Sequence, residues 1–330
     1  MQRVLVTGGL GYVGSVLVPI LLAEGYKVTV LDNLRYHNHH GLFSQVGSVP
    51  VISHPNFACL INGDVRDEAT VQNALKGQDA VIHLAAIVGA PACDKFPDDA
   101  RTINADSTRI ILKYMNRNQT ILFASTGSCY GIVQDICTED SPLNPCTLYG
   151  TTKKDAEDEV IRAGGIAFRF ATAFGVSPRT RFDTLLNTFT LAAVRTKALK
   201  VYQCDARRTF IHVRDMARVF VFGLKNADAM RGNVYNVGDE DLNLTKRQAA
   251  EFIAKRIKQR LGFDVNVEFA TEGSDTDKRD YEVSYKKIRG VGDGFRTAVS
   301  LSEGIDELIT ASLAMSGKHP VDNLLVETAV

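Results

Sequence analysis

The sequence lacks several features that would assign a protein to a broad class at once. Its 330 residues include 38 basic and 38 acidic residues, so no net field favours nucleic acid or an anionic membrane surface. No run approaches the roughly 20 apolar residues that are needed to cross a bilayer. Internal repeats and low-complexity segments are absent as well. We therefore expect a globular protein of two lobes, with neither nucleic acid nor a membrane as its partner.

Metal-binding and redox motifs are missing too. The 6 cysteines are scattered and none forms a Cys-x-x-Cys pair, which argues against a zinc site or a dithiol centre. An apolar strand begins at Val4 and leaves no room for a secretion signal, so we expect a cytoplasmic chain with reduced thiols. His37, His39 and His40 lie close together, but no acid or cysteine joins them at ligand spacing. We therefore predict no metal site.

The most informative segment is a glycine-rich stretch near the start. An apolar run breaks at Gly8 into closely spaced glycines that end at Gly14, and an apolar segment of helical length follows. This order is typical of a strand, a tight turn and a helix N-terminus, whose free N–H groups suit a pyrophosphate. Asp32 ends the next apolar run, about 20 residues beyond the turn, where a dinucleotide site binds a ribose hydroxyl. A carboxylate there repels a 2′-phosphate and favours NAD over NADP, although the nearby Arg35 could soften this preference.

Strands and helices alternate through the first half of the chain. Apolar runs at residues 57–61, 80–86 and 119–124 are separated by segments of helical periodicity, among them residues 99–118. His83, within the second run, is expected to be a packed core residue. The alternation predicts an α/β fold with a Rossmann-type, doubly wound parallel sheet.

The pattern becomes less regular after Ala173, where we place a second lobe. A strand at residues 209–213 is expected to rejoin the sheet domain. Thr245 and Gln248 form a capping box before an amphipathic helix whose basic face includes Lys246. We predict a cofactor domain of residues 1–171 plus 207–238, and a smaller, discontinuous α/β substrate lobe of residues 172–206 plus 239–330.

Two polar segments carry the candidate catalytic groups. The loop after the run at residues 119–124 contains Thr126 and Ser128, at the carboxyl edge where parallel sheets bind ligands. Tyr149 and Lys153 stand one helical turn apart on one face. An ammonium there would lower the pKa of the phenol by favouring the phenolate. This pair, after a nucleotide turn and a hydroxyl-bearing loop, indicates hydride and proton transfer at a substrate hydroxyl.

With these motifs the chain resembles the extended short-chain dehydrogenase/reductase superfamily, in its nucleotide-sugar epimerase/dehydratase branch. For the NAD cofactor the resemblance implies contacts from Gly8, Gly11, Tyr12, Val13, Gly14, Asp32, Asn33, Asp64, Val65, Leu84, Ala85, Ala86, Tyr149 and Lys153. The catalytic residues it implies are Thr126, Tyr149 and Lys153. The nucleotide sugar is expected at Val88, Gly89, Thr126, Ser128, Thr172, Arg179, Arg181, Arg208 and Arg279.

The resemblance also carries two expectations about phosphates and partners. Two or three of the four arginines should converge on the substrate diphosphate, because a guanidinium fork matches that anion, and Arg208 is the strongest candidate. Members of the branch often form homodimers through two helices, here at residues 101–116 and 149–163. A homodimer or a higher homo-oligomer is therefore expected.

Departures from the family pattern narrow the reaction. The dehydratases and uronate decarboxylases keep acids directly after the catalytic Thr, where this chain has Gly127 and Ser128. Neither is a general acid near neutral pH, which argues against 4,6-dehydration. On segments such as residues 86–93 and 174–181 the chain resembles dehydrogenases acting at C4 of GDP-linked heptoses, so oxidation to a 4-keto sugar is the main expectation. A 4-epimerase with non-dissociating NAD and a catalytically silent NAD-binding protein are the alternatives.

Overall fold

A computed structural model of the chain describes residues 1–271 and 280–315. Its strands are β1 (Arg3–Thr7), β2 (Lys27–Asp32), β3 (Gln45–Val46), β4 (Val49–Pro50), β5 (Phe57–Asn62), β6 (Ala80–His83), β7 (Thr120–Thr126), β8 (Ile132–Cys137), β9 (Ile166–Phe170), β10 (Thr172–Phe174), β11 (Ala198–Tyr202), β12 (Arg207–His212), β13 (Asn233–Val237), β14 (Asn243–Thr245), β15 (Asn266–Ala270) and β16 (Asp280–Val283). Its α-helices are α1 (Gly14–Ala23), α2 (Glu68–Leu75), α3 (Ala90–Lys95), α4 (Pro97–Arg101), α5 (Ser107–Tyr114), α6 (Leu148–Arg162), α7 (Leu185–Thr196), α8 (Val213–Lys225), α9 (Ala227–Met230), α10 (Lys246–Leu261), α11 (Lys286–Arg289) and α12 (Leu301–Ala314).

A seven-stranded parallel sheet forms the centre of the molecule. Its strand order is β13-β9-β7-β6-β1-β2-β5. The chain runs outward from β1 through β2 to β5, and then returns to the other side of β1 at β6. The order therefore reverses between β1 and β6, and a ligand crevice opens beyond the carboxyl ends of these two strands. The predicted doubly wound sheet is confirmed.

Two apolar layers cover the sheet because successive side chains of a strand point to opposite faces. Val4 and Ile82 belong to the layer that contains residues of α1 and α8. Leu5 and Val81 belong to the opposite layer, with residues of α2, α5 and α6. Burial on both faces explains why these strands read as continuous apolar runs in the sequence.

A third apolar cluster forms the core of the second lobe. There β11 and β15 pair in parallel, and α7, α10 and α12 contribute buried side chains. Strand β12, which was expected to rejoin the first lobe, pairs with β10 and β14 in a separate three-stranded sheet, and the predicted division into domains stays a prediction. The chain changes sheets at Ala171, the residue between β9 and β10, whose N–H donates to the carbonyl of Val237.

Local structure departs from the sequence expectations at three places. The apolar segment after the glycines predicts a helix over about residues 11–24, but helix α1 begins only at Gly14, because residues 8–13 form the turn. The long helix expected at residues 99–118 is divided by a π-helical turn at Thr102–Asp106. The capping box of α10 is present, but Lys246 is only 2% exposed and donates to the carbonyl of Tyr202, so it does not belong to a solvated basic face.

Candidate active site

The glycine turn between β1 and α1 lies at the crevice and needs its glycines. Gly8 has a φ of +67°, and a Cβ there would lie 2.8 Å from the backbone nitrogen of Ala85. A Cβ on Gly14 would come within 2.6 Å of the Cα of Gly9. Among the described residues, no side chain caps the N-terminus of α1, and its first turn contains no acid. Val13 stands at this N-cap position. The N–H of Ser15 donates to the carbonyl of Gly11, so the N–H groups of Val13 and Gly14 are those that the described helix start offers to an anion.

Asp32 connects this turn to the loop that follows β2. One carboxylate oxygen accepts the N–H of Leu10 at 3.0 Å, and the other accepts the N–H of Leu34 at 2.9 Å. The residue is buried and stands at the carboxyl end of β2. Its position beside the glycine turn is the one that a ribose-binding carboxylate needs.

Asp64 and Val65 follow β5 at the outer edge of the crevice. The guanidinium of Arg66 donates to both carboxylate oxygens of Asp64, at 2.9 and 2.8 Å, and this hydrogen bonding lowers the pKa of the carboxyl to about 2. The amide of Asn33 also donates to Asp64. Arg35, the cation that might have favoured NADP, is 2.7 Å from Asp99 in an ion pair. Asn33, Asp64 and Val65, which were predicted to contact the adenosine of the cofactor, are thus neighbours at the outer edge of the crevice.

Leu84, Ala85 and Ala86 follow β6 and form the floor of the crevice. The loop beyond them is fixed by Asn104, which the sequence reasoning missed. Its amide oxygen accepts the N–H of Ile87 at 2.8 Å, and its NH₂ group donates to the carbonyl of Ile87 and to the hydroxyl of Thr152. Asn104 is fully buried in the π-helical turn, a distortion that often marks a functional site. The only signal in the sequence is a polar residue between Ile103 and Ala105.

The catalytic candidates meet at the carboxyl end of β7. Thr126 is its last residue, and its hydroxyl donates to the hydroxyl of Ser128 at 3.1 Å. Tyr149 lies in the first turn of α6, close enough to Thr126 for the threonine hydroxyl to lower the pKa of the phenol. Lys153 follows one turn later and is 2% exposed, with its ammonium 3.9 Å from the centre of the Phe123 ring. The structure therefore brings these sequence-predicted residues together.

Burial dominates the electrostatics of this cluster. Loss of hydration raises the pKa of Tyr149 to about 12, while the charge of Arg181 and the hydroxyl of Thr126 oppose the rise. Burial lowers the pKa of Lys153 to about 7. Arg181 is thus the cation with the largest effect on the pKa of Tyr149, and the role of Lys153 in making the phenol acidic stays a prediction.

A buried ion pair between Arg169 and Glu157, which the sequence analysis did not predict, lies next to the end of β7 and holds Ser125. The Arg169 guanidinium binds both carboxylate oxygens of Glu157, the closest contact being 2.7 Å. The hydroxyl of Ser125 donates to the same carboxylate at 2.5 Å. Glu157 stands one turn beyond Lys153 on α6, just as Lys153 stands one turn beyond Tyr149. This repeated spacing of four residues places all three on one face of the helix, and it was the signal in the sequence that could have identified Glu157.

The arginines predicted for the substrate diphosphate are spread over the cleft. The Arg179 guanidinium lies 4.1 Å from the centre of the Tyr36 ring, near the adenosine edge. Arg208 is 2% exposed on β12 and donates to the carbonyl of Arg207. Arg279 lies outside the described residues. Thr172 is half-buried at the start of β10.

Arg181 occupies the opposite, catalytic end of the cleft. It forms an ion pair with Asp183 at 2.6 Å and donates to the carbonyl of Val88 at 3.3 Å. Gly89 has a φ of +96°, and a Cβ there would lie 3.5 Å from the Arg181 guanidinium. Val88, Gly89 and Arg181 are thus neighbours beside Tyr149, as expected for residues around the reacting sugar.

No group of three or more His, Cys, Asp or Glu side chains that could hold a metal ion is found within residues 1–271 and 280–315. In that part of the chain, no helix is long and apolar enough to cross a membrane.

Comparison with known proteins gives a consistent family. Residues 4–238 match the model of the NAD dependent epimerase/dehydratase family. The chain is 28% identical to a UDP-glucose 4-epimerase of Corynebacterium glutamicum, over 73% of this chain and 76% of that protein. It is 28% identical to a dTDP-glucose 4,6-dehydratase of Streptomyces niveus, over 93% and 92% of the two chains. The structure of UDP-glucuronic acid 4-epimerase from Bacillus cereus superposes with a TM-score of 0.81 at 22% identity, over 95% of this chain and 100% of that one.

Proposed function

The chain belongs to the NAD-dependent epimerase/dehydratase family, and we propose that within it this enzyme is a nucleotide-sugar 4-epimerase. The observation that carries the proposal is that Thr126 and Tyr149 lie close together at the end of β7, with Lys153 one turn away. Thr126, Tyr149 and Lys153 together can transfer a proton to or from a hydroxyl group of the substrate. Both Tyr149 and Lys153 are present, which argues against a catalytically silent NAD-binding protein.

The residues around the crevice fit NAD. The uncapped start of α1 suits the pyrophosphate, and the Asp32 carboxylate suits hydroxyls of the adenosine ribose. NAD, when bound, accepts a hydride from C4 of the sugar and can return it. Lys153 is expected to hold the nicotinamide ribose from within its buried position.

The chain's own side chains handle the proton. Tyr149 takes the proton of the C4 hydroxyl and later returns it, acting as general base and then as general acid. Thr126 hydrogen-bonds the same oxygen and keeps it near the phenol. Arg181 opposes the rise in the pKa of Tyr149 and so favours its phenolate form. Reduction of the other face of the 4-keto sugar completes the epimerisation.

Two observations support epimerisation over the other reactions of the family. Gly127 and Ser128 supply no carboxyl group next to Thr126, which argues against dehydration across C5 and C6. Relatives such as the Corynebacterium glutamicum protein are named 4-epimerases. The expected likeness to dehydrogenases of GDP-linked heptoses is not shown, whereas two similar proteins are named for UDP- and dTDP-sugars. Net oxidation at C4 is therefore the second candidate.

A substrate panel tests the proposal. The purified enzyme is incubated with UDP-, GDP- and dTDP-hexoses, pentoses and uronic acids, while absorbance at the NADH band and the sugar products are followed. We expect a C4 epimer to accumulate without net NADH. Stoichiometric NADH with a 4-keto product would instead establish the dehydrogenase, and no turnover of any sugar would contradict both.

Tyr149→Phe provides the matched variant, because it removes one hydroxyl and keeps the ring. We expect at least a 100-fold loss of kcat, in line with the usual contribution of general acid–base catalysis of about 10²–10⁴. Binding of the nucleotide sugar should change by less than about twofold, measured by calorimetry. Retention of most of the activity would exclude Tyr149 as the proton-transferring group.

A further inference from the structure

A segment of the second lobe, residues 175–181, crosses the cofactor crevice and touches the first domain at three points. The phenol of Tyr12, in the glycine turn after β1, donates to the carbonyl of Gly175 at 2.7 Å. Arg179 lies over the ring of Tyr36, in the loop after β2. Arg181 donates to the carbonyl of Val88, in the loop after β6. We call residues 175–181 the crossing segment.

These three points follow the path of a dinucleotide. The loops after β1, β2 and β6 surround the place where the strand order reverses, which is where such ligands bind in open parallel sheets. Arg181 stands at the catalytic end beside Tyr149, and Arg179 stands at the adenosine end beyond Asp32. The crossing segment itself is held in shape, because the N–H of Arg179 donates to the hydroxyl of Ser177 at 3.1 Å.

Arg179 differs from Arg181 in having no carboxylate at ion-pair distance among the described residues. Arg181 has Asp183 as its ion-pair partner. Within the described part of the chain, Arg179 forms no ion pair, and its guanidinium is in contact with the Tyr36 ring. Burial and the like charge of Arg181 lower the pKa of Arg179 by more than the charges of Asp183 and Asp32 raise it, so an added anion would stabilise this cation.

We propose that Arg179, contributed by the substrate lobe, binds the phosphates of the ADP half of NAD and so helps to retain the cofactor between the two lobes. The inference rests on the proposed function only in taking NAD as the bound dinucleotide. It reassigns Arg179 from the substrate diphosphate, for which the sequence suggested it. A guanidinium that is half-buried and stacked on an aromatic ring loses little freedom when it binds a phosphate fork.

Arg179→Gln in cofactor-free protein tests this assignment by calorimetry with NAD and with ADP-ribose. We expect both ligands to bind about 10- to 100-fold more weakly, the usual effect of losing one charge-assisted hydrogen bond. Arg117→Gln is the control, because Arg117 is exposed in the turn before β7, at the opposite edge of the sheet. It should leave both affinities unchanged.

The same variant distinguishes the cofactor from the substrate. At saturating NAD, the affinity of Arg179→Gln for UDP, used as the diphosphate probe, should equal that of the wild type. An unchanged affinity for NAD and ADP-ribose, or a loss confined to UDP, would overturn the assignment. A failure of NAD to bind the wild-type protein would instead overturn the proposed function. Tyr36→Leu removes the ring under Arg179 and keeps the arginine itself, so it should weaken NAD binding by a smaller factor. It tests the same contact independently if Arg179→Gln fails to fold.

Discussion

At the scale of single residues, the active site combines a phenol and an ammonium that are both disfavoured in their charged forms. Lys153 is packed against the face of Phe123, and the nearby Glu157 carboxylate, which is already paired with Arg169, only partly compensates for its burial. Burial therefore lowers its pKa from 10.5 to about 7. An unfolded chain takes up this proton at a higher pH than the folded one does. Burying the ammonium thus reduces the free energy of unfolding, fully below about pH 7 and not at all above pH 10.5.

Lys153→Met is consequently expected to stabilise the cofactor-free protein while abolishing activity. Methionine keeps the length of the side chain and removes the buried charge. We expect the free energy of unfolding to rise by a few kcal/mol at pH 6, because each pKa unit corresponds to about 1.4 kcal/mol. The gain should shrink toward pH 10, measured by urea unfolding. Lys154→Met, on the same helix but in a surface ion pair with Asp158, should change stability by less than about 1 kcal/mol. Destabilisation by Lys153→Met at pH 6 would disprove the account.

At the scale of elements, the β1–α1 turn shows which glycines are structural and which leave room for a ligand. A Cβ on Gly14 would meet the backbone of Gly9 within 2.6 Å, and no flexible side chain can move aside there. A Cβ on Gly11 would have a single neighbour within 4 Å, the carbonyl oxygen of Gly8 at 3.2 Å. The two glycines look equivalent in the sequence motif, but only one is required for the turn itself to close.

Gly14→Ala should therefore destabilise the fold more than Gly11→Ala does. We expect a loss of about 2 kcal/mol for Gly14→Ala, a typical cost of overpacking. Gly11→Ala serves as the matched control, with a change below about 1 kcal/mol. Urea unfolding of the cofactor-free proteins measures both. Equal losses in the two variants would mean that steric closure of the turn does not distinguish them.

At the scale of the whole molecule, buried polar groups connect the layers and lobes. His83, at the end of β6, lies 2.7 Å from the hydroxyl of Thr7 and 3.1 Å from that of Thr108, as expected for a packed core histidine. Burial, aided by the charge of Lys153, lowers its pKa to about 3. His212, where the second lobe meets α8, is also buried, with its pKa lowered to about 4.

The homodimer expected through residues 101–116 and 149–163 remains a prediction.

His83 and His212 make the fold sensitive to mild acid. The unfolded chain protonates histidine below about pH 6.5, whereas the folded chain keeps His83 neutral to about pH 3. Stability is therefore complete above pH 6.5 and is lost progressively as the pH falls from 6.5 toward 3. Between pH 7 and pH 5 we expect a loss of about 2 kcal/mol for His83, visible as a lower urea midpoint. His83→Gln should make this loss smaller, and an identical slope in the variant would contradict the assignment.

The sequence by itself determined the class of fold and the core of the catalytic set. Continuous apolar runs are typical of internal parallel strands that are buried on both faces, and the glycine turn, Asp32 and the Tyr149–Lys153 spacing are patterns formed by residues close together in the chain. This is why the Rossmann-type sheet and the meeting of Thr126 with Tyr149 were predictable.

Only the tertiary structure decided what lies around these residues. Asn104, the Glu157–Arg169 pair and the different environments of Arg179 and Arg181 depend on segments that are distant in the chain and meet only after folding. Electrostatic effects likewise depend on burial and on neighbours, so the sequence could suggest a cation for Tyr149 but could not identify it as Arg181. Local sequence patterns determine the backbone structure, whereas the packing between the lobes determines which side chains meet across the cleft and how their charges shift each other's pKa values.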